Sequence, residues 1–193
     1  PTLLNNGYGA HRIEGIGDKH VPWIHNVKNT DAVCAIDDEM NMRILRLFNE
    51  KIGQDYLIEK GVPADFIKEI NLMGISGIAN MMCCIKFAKY YELTGKDFLF
   101  TVCTDSAAMY GSRLEEEAEA RGAYCRDNAV ADFEALQQVS TENFLELTYA
   151  ERKRVHNLKY YTWVEQQQRD VEDLNAQWYD DEYWTRIYKQ GEE

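Results

Sequence analysis

Two short, almost wholly apolar runs constrain this chain more than any other feature. Residues 32–36 read Ala-Val-Cys-Ala-Ile, and residues 98–103 read Phe-Leu-Phe-Thr-Val-Cys. Alternating apolar and polar residues mark a strand with one wet face, whereas a continuous apolar run marks one covered on both. Helix signals follow each run. Asp37 or Asp38 can cap a helix in which Met40, Ile44, Leu47 and Phe48 share one face, with Gly53 as a stop. After the second run, Thr104-Asp105-Ser106 leads into a helix from about Ala107 to Arg121, closed by Gly122. Between them, residues 54–73 predict one or two short helices broken around Gly61-Val62-Pro63. Gly74-Ile75-Ser76-Gly77 then turns into an apolar helix, Ile78 to about Leu93, ended by Gly95, with Lys86, Lys89 and Glu92 on its wet face. Strand, helices, strand, helix, with both strands apolar throughout, predicts an α/β layer built on a parallel sheet.

The flanks differ from this middle. Residues 1–31 are loop-rich, punctuated by glycines and Pro22. Residues 123–193 are polar and helical, with aromatics that include Trp163, Trp178, Tyr183 and Trp184. Those rings either dock back on the chain or form an oligomer contact. A length of 193 residues, 45% hydrophobic, suits one good core rather than two large ones.

A net charge of −12, with no basic stripe to displace phosphate counterions, argues against nucleic acid as a partner. No apolar run approaches the roughly 20 residues that cross a bilayer, so no membrane partner is expected. Cys34, Cys83, Cys84, Cys103 and Cys125 are odd in number, and three lie in apolar segments. That pattern suits free thiols in a reducing cytoplasm better than a disulfide framework. His20 and His25, five apart across Pro22, lack the spacing of a metal pair, and no metal is expected. The chain begins at Pro1 rather than Met, so it is expected to start inside a longer protein.

In an open parallel sheet, ligands gather at the carboxyl ends of the strands. Thr104-Asp105-Ser106 sits there, offering two hydroxyls and a carboxylate at a helix start, where Asp105 or Ser106 equally fits the simpler role of an N-cap. Two further glycine turns, His11-Arg12-Ile13-Glu14-Gly15-Ile16-Gly17 and Gly74 to Gly77, let backbone approach a ligand closely.

The order of these three pieces, spread over roughly residues 9–113, resembles the C-terminal half of cysteine synthase and cystathionine β-synthase. These are pyridoxal-phosphate enzymes of fold type II, related to the tryptophan synthase β subunit. Residues 54–71 look like an insertion relative to the short members. The resemblance implies that residues 1–122 form the C-terminal half of a parallel-sheet, helix-flanked cofactor-binding domain, with 123–193 a helical, aromatic-rich extension. It implies pyridoxal 5'-phosphate as cofactor, with Thr104 in the place of the Ser or Thr that contacts the pyridine nitrogen. Gly15 would lie beside the cofactor and substrate amine, Glu14 would face the substrate, and Ser76 would sit in the turn near the cofactor. Where the family commonly has Ser-Gly next, this chain has Asp105-Ser106, which leaves Asp105 as the alternative ring-nitrogen partner. A hydroxyl there suits β-elimination and β-replacement; a carboxylate keeps the nitrogen protonated and favours racemisation-like chemistry.

The family's Schiff-base lysine and phosphate cup belong to its N-terminal half, and no lysine here stands in a comparable Ser-x-Lys context. The resemblance therefore implies no catalytic residue in this chain and a need for an N-terminal complement, separate or cleaved. The implied activity is amino-acid β-elimination or β-replacement through an aminoacrylate. A deaminase or racemase on the same fold, or a non-catalytic assembly or regulatory subunit, is the alternative. The family also implies a homo-oligomer.

Overall fold

A computed structural model describes residues 5–15 and 18–191; Pro1, and the Ile16 and Gly17 of the first glycine turn, lie outside them. The chain divides into two compact units. A helical unit comprises Arg12–Gly17 and Cys34–Phe144, and a terminal unit comprises Pro1–His11, Asp18–Val33 and Leu145–Glu193.

The expected parallel-sheet α/β architecture is not what forms. The chain is mostly helical, and the strands among the described residues are β1, Ala32–Cys34, and β2, Phe144–Glu146, paired in a two-stranded sheet. Neither short strand is fully buried. Residues 98–103 have no regular secondary structure and join no ladder, and Phe98, Phe100 and Val102 are 84%, 96% and 65% exposed. The physical reason is that a strand is completed by a neighbour's N–H and C=O groups. An apolar run encodes a preference for extension and cover, and carries no information about whether that neighbour exists within the chain.

The helical unit is organised around α1, Asp38–Asn49. Asp37 caps it, its side chain accepting from Met40 N at 2.9 Å. Met42, Ile44, Leu45 and Leu47 are fully buried, and Phe48 nearly so. Each such side chain contributes about 1.5–3 kcal/mol on leaving water. Against α1 pack α2, Lys51–Glu59, and the apolar α4, Ile75–Tyr90; α3, Ala64–Glu69, precedes α4. Further along are α5, Gly111–Arg121, and α6, Arg126–Gln137, of which α6 also lies on α1. Gly53 was expected to stop a helix but sits inside α2, where a Cβ would come within 2.2 Å of the Leu47 carbonyl oxygen. Its role is close approach. Lys86 and Lys89 were expected on a solvated face. Instead, Lys86 Nζ donates to Ala35 O at 3.0 Å and Glu142 O at 2.7 Å, and Lys89 Nζ to Val139 O at 2.6 Å and Gln137 O at 3.2 Å.

The terminal unit joins the loop-rich start of the chain to α7, Tyr149–Asn157, α8, Val171–Tyr179, and α9, Tyr183–Lys189. Thr148 and Asp170 cap α7 and α8 through their side-chain oxygens. Its aliphatic cluster is small, Val21, Val27, Leu147 and Val155, beside the buried Trp23, Leu174, Trp178 and Trp184. Polar ties to backbone do much of the remaining work. Lys159, fully buried, donates to Trp23 O at 2.9 Å, His25 O at 2.6 Å and Gln177 Oε1 at 2.9 Å. Trp163 Nε1 donates to Val21 O and Trp184 Nε1 to Gln177 O, each at 2.8 Å. Trp178 and Trp184 are buried, so these rings dock within their own unit.

Among the described residues no single helix is long and apolar enough to cross a membrane.

Candidate functional site

Within the helical unit, three segments far apart in sequence meet at the start of α4. The first is Glu14-Gly15. The Ser76 hydroxyl donates to Glu14 O at 2.6 Å, and Ser76 is fully buried. Gly15 has φ +99°, a left-handed conformation that disfavours any side chain, and a Cβ there would lie 2.4 Å from Ser76 Oγ and 3.3 Å from Asp105 Oδ2.

The second segment is Gly74 and the first turn of α4. Gly74 N donates to Asp105 O at 2.9 Å. A Cβ on Gly74 would come within 2.5 Å of Asp105 Oδ1 and 3.0 Å of the Tyr110 ring. Both glycines are therefore required by the approach of Ser76, Asp105 and Tyr110, whatever occupies the site.

The third is residues 102–105. Asn80 Nδ2 holds Val102 O at 2.8 Å, and Cys103 Sγ lies 3.7 Å from where a Gly77 Cβ would stand. Asp105 is half-buried. Its Oδ2 accepts from the Tyr110 hydroxyl, while its Oδ1 is buried and has no hydrogen-bond partner among the described residues. A buried carboxylate oxygen left unpaired costs on the order of 1–3 kcal/mol, which makes it a ready acceptor for an incoming donor. Burial and the Asp105 bond push the Tyr110 phenol up to about 12, so it remains a donor at neutral pH.

Asp105 thus does not act as a simple N-cap: the 3-10 turn Ala107–Tyr110 begins after Ser106, with no side-chain capping bond. Thr104 lies next to this cluster and is exposed. Of the five residues expected at the site, Glu14, Gly15, Ser76 and Asp105 come together, and Thr104 borders them.

Two participants were not legible beforehand. Tyr110 is five residues beyond Asp105 and reaches back through a 3-10 turn whose geometry an apolar pattern does not reveal. Arg113 pairs with the Glu14 carboxylate and, at 2.6 Å, with Glu116. Its excess positive charge among Glu115, Glu116 and Glu117 was the available signal. A second ion-pair group lies in the same unit: buried Glu117 pairs with Arg12 and with Arg121, and Arg12 also reaches Glu39 at 2.8 Å.

The cluster offers a buried acceptor with no partner among the described residues, an adjacent hydroxyl residue, and two glycines on which Ser76, Asp105 and Tyr110 close. Lys86 and Lys89 spend their ammonium groups on backbone carbonyls.

No protein-family model, no curated protein and no solved structure matches the chain.

Proposed function

We propose that this chain supplies the ring-nitrogen side and the substrate-facing glycine turn of a pyridoxal-phosphate-dependent amino-acid lyase or β-replacement enzyme of the cysteine-synthase type. The lysine and phosphate cup come from an N-terminal complement. One observation carries the reading: three motifs that would have to surround one cofactor, Glu14-Gly15, Gly74 to Ser76 and Thr104-Asp105, meet within a single unit, around a carboxylate oxygen that lacks a partner among the described residues.

When bound, the cofactor supplies an electron sink beside the α-carbon of an amino acid. The residues of this chain do the rest by position. Asp105 Oδ1 would accept a hydrogen bond from the ring nitrogen, while the Tyr110 hydroxyl donates to the other oxygen and so fixes the carboxylate plane. Gly15 lets its turn close on Ser76 and Asp105, and Ser76 holds that turn through the Glu14 carbonyl. Arg113 holds the Glu14 side chain at the substrate side. The exposed Phe98, Phe100 and Val102 give the complement an apolar surface to cover. Five unpaired cysteines agree with a reducing cytoplasm as the place of work.

A deaminase or racemase is the second reading, favoured by one feature. The oxygen aimed into the cluster belongs to a carboxylate, Asp105, rather than to the exposed Thr104 hydroxyl, and a carboxylate keeps a pyridine nitrogen protonated.

The test is the chain copurified with its lysine-bearing complement. The visible absorbance of bound pyridoxal phosphate is expected to shift on adding serine or an O-activated serine. Asp105→Asn is expected to lower kcat at least tenfold, while Thr104→Val changes it less than threefold. Release of a β-substituent would identify the lyase, and exchange of the α-proton with retention of the substituent would identify the racemase class. An assembled complex whose absorbance ignores every amino acid offered would end both readings.

A further inference from the structure

A cavity of about 710 Å³ lies in the terminal unit, lined by α7, α8 and the start of the π-helical turn Tyr160–Glu165 between them. That volume is within the range of small-molecule sites, about 300–1,000 Å³. All of its lining comes from one unit, and the cofactor chemistry proposed for the helical unit makes no use of it.

The walls are aromatic. Tyr149, Tyr160 and Tyr161 line the cavity, and all three are exposed. Their supports are fixed. Trp178 Nε1 donates to the Tyr149 hydroxyl at 3.3 Å, and the two rings meet edge to face at 5.5 Å. Tyr160 and Tyr161 also meet edge to face, at 5.7 Å, on a turn anchored from behind by Lys159 and Trp163 through their bonds to backbone carbonyls. Short π-helical turns are rare and recur at functional sites. The floor is buried: His156 Nε2 donates to Leu174 O at 3.1 Å and so ties α7 to α8. Rings held this way lose little freedom when a ligand arrives.

Charge narrows the occupant. The chain carries a net −12, yet among the described residues no Asp or Glu lines this cavity, while Lys153 and Arg154 do. Arg154 is engaged by Glu151 at 2.8 Å. His156 is pushed down to about 4, by burial first and then by the Lys159 and Lys153 charges, so it adds no charge at neutral pH. The Lys153 ammonium sits 4.7 Å from the Trp178 ring centroid and 4.3 Å from that of Tyr179, and makes no ion pair among the described residues. Ring faces attract a cation without offering it a carboxylate, so its N–H donors stay available to an anion. One uncommitted positive charge beside three tyrosines matches a ligand with one negative charge and a flat apolar body. A nucleoside di- or triphosphate would bring more charge than the lining answers.

We propose that this cavity binds a small planar aromatic carboxylate, its ring against the tyrosines and its carboxylate on the Lys153 ammonium.

The experiment titrates the full chain with 2-naphthylacetate by isothermal calorimetry, and in parallel with 2-naphthylacetamide, which keeps the rings and lacks the charge. The acid is expected to fill one site with a dissociation constant below about 1 mM. The amide is expected to bind about fivefold more weakly, the effect of one partly screened ion pair. Lys153→Met should remove the preference for the acid and leave the amide within about twofold of its parent value, whereas Lys153→Arg should keep the preference. Tyr161→Ala, at an exposed position, should weaken acid and amide alike, by about threefold or more. Circular dichroism confirms the fold of each variant, and the comparison of acid with amide on the unsubstituted chain needs none of them. Absence of saturable heat with the acid, or equal affinity for acid and amide, would overturn the proposal. A preference that survives Lys153→Met, or binding that ignores Tyr161→Ala, would place the ligand elsewhere and overturn it equally.

Discussion

The two units of this molecule are held by different forces. The helical unit closes over an apolar cluster in which Met42, Ile44, Leu45, Leu47, Ile75 and Ile78 are fully buried. The terminal unit has a four-residue aliphatic cluster and the buried Trp23, Leu174, Trp178 and Trp184, and leans on directed bonds from Lys159, Trp163, Trp184 and Lys28 to backbone carbonyls. Burial is nondirectional and tolerates a lost bond; a polar framework has an orphaned acceptor wherever one donor goes. Aliphatic packing and buried donors are thus two routes to a closed chain, with different sensitivities to mutation and to pH.

All four tryptophans, Trp23, Trp163, Trp178 and Trp184, belong to the terminal unit, so their fluorescence reports on it alone, while far-ultraviolet circular dichroism is dominated by helices of both. That separation gives a direct way to break the contrast. The largest effect is expected from Leu47→Ala, which opens a cavity in α1 and lowers stability by about 3–5 kcal/mol. The urea midpoint followed by circular dichroism should drop; fluorescence moving first would place the loss in the wrong unit.

Lys159→Met comes next, at about 3 kcal/mol, because it keeps the volume but leaves Trp23 O, His25 O and Gln177 Oε1 without their donor. Here fluorescence should lead. A midpoint within 2 °C of the parent, a tolerance of roughly 0.5 kcal/mol, would mean that the three bonds add nothing.

The effect of pH is spread over two separate windows. Burial pushes the Lys159 ammonium down to about 7, and burial with the Lys159 and Lys153 charges pushes the His156 imidazole down to about 4. Both folded values lie below those of the unfolded chain, 10.5 and 6.5, so in each window the unfolded chain binds more protons. Stability of the terminal unit should therefore rise with pH from 4 to 6.5, and again from 7 towards 10.5. Lys159→Met should abolish the second rise and keep the first. A fluorescence-monitored midpoint that falls with increasing pH in either window contradicts this assignment.

Sequence legibility followed a different divide, between local and distant partners. Ile44, Leu47 and Phe48 share a helical face that periodicity reveals, and Asp37 is a cap that residue type reveals. The break at Gly61-Val62-Pro63 and the closing Gly122, with φ +79°, were equally readable. What failed was everything that depends on a distant partner. Residues 98–103 have the composition of a buried strand and no ladder to join. Lys86 and Lys89 follow a wet-face spacing, yet reach carbonyls about 50 residues away in sequence. Lys159 looks like one more surface lysine in a polar helix and is the most buried cation of its unit. At the candidate site, Glu14, Gly15, Ser76 and Asp105 were named from their motifs, while Tyr110 and Arg113, which hold them, belong to no motif and emerge only from the fold.

The unpaired stretch at 98–103 has a consequence for handling the molecule. Phe98, Phe100 and Val102 point apolar surface outward from a backbone that no neighbouring strand has paired, which is the arrangement that natural sheets blunt with lysine, proline or a bulge. No lysine or proline interrupts these six residues. Isolated at high concentration, the chain presents a template on which a second copy can align edge to edge, and its net charge of −12 is the main force keeping copies apart. Colloidal behaviour should accordingly worsen as salt screens that repulsion, and a single charged side chain at Phe100 is the most economical remedy.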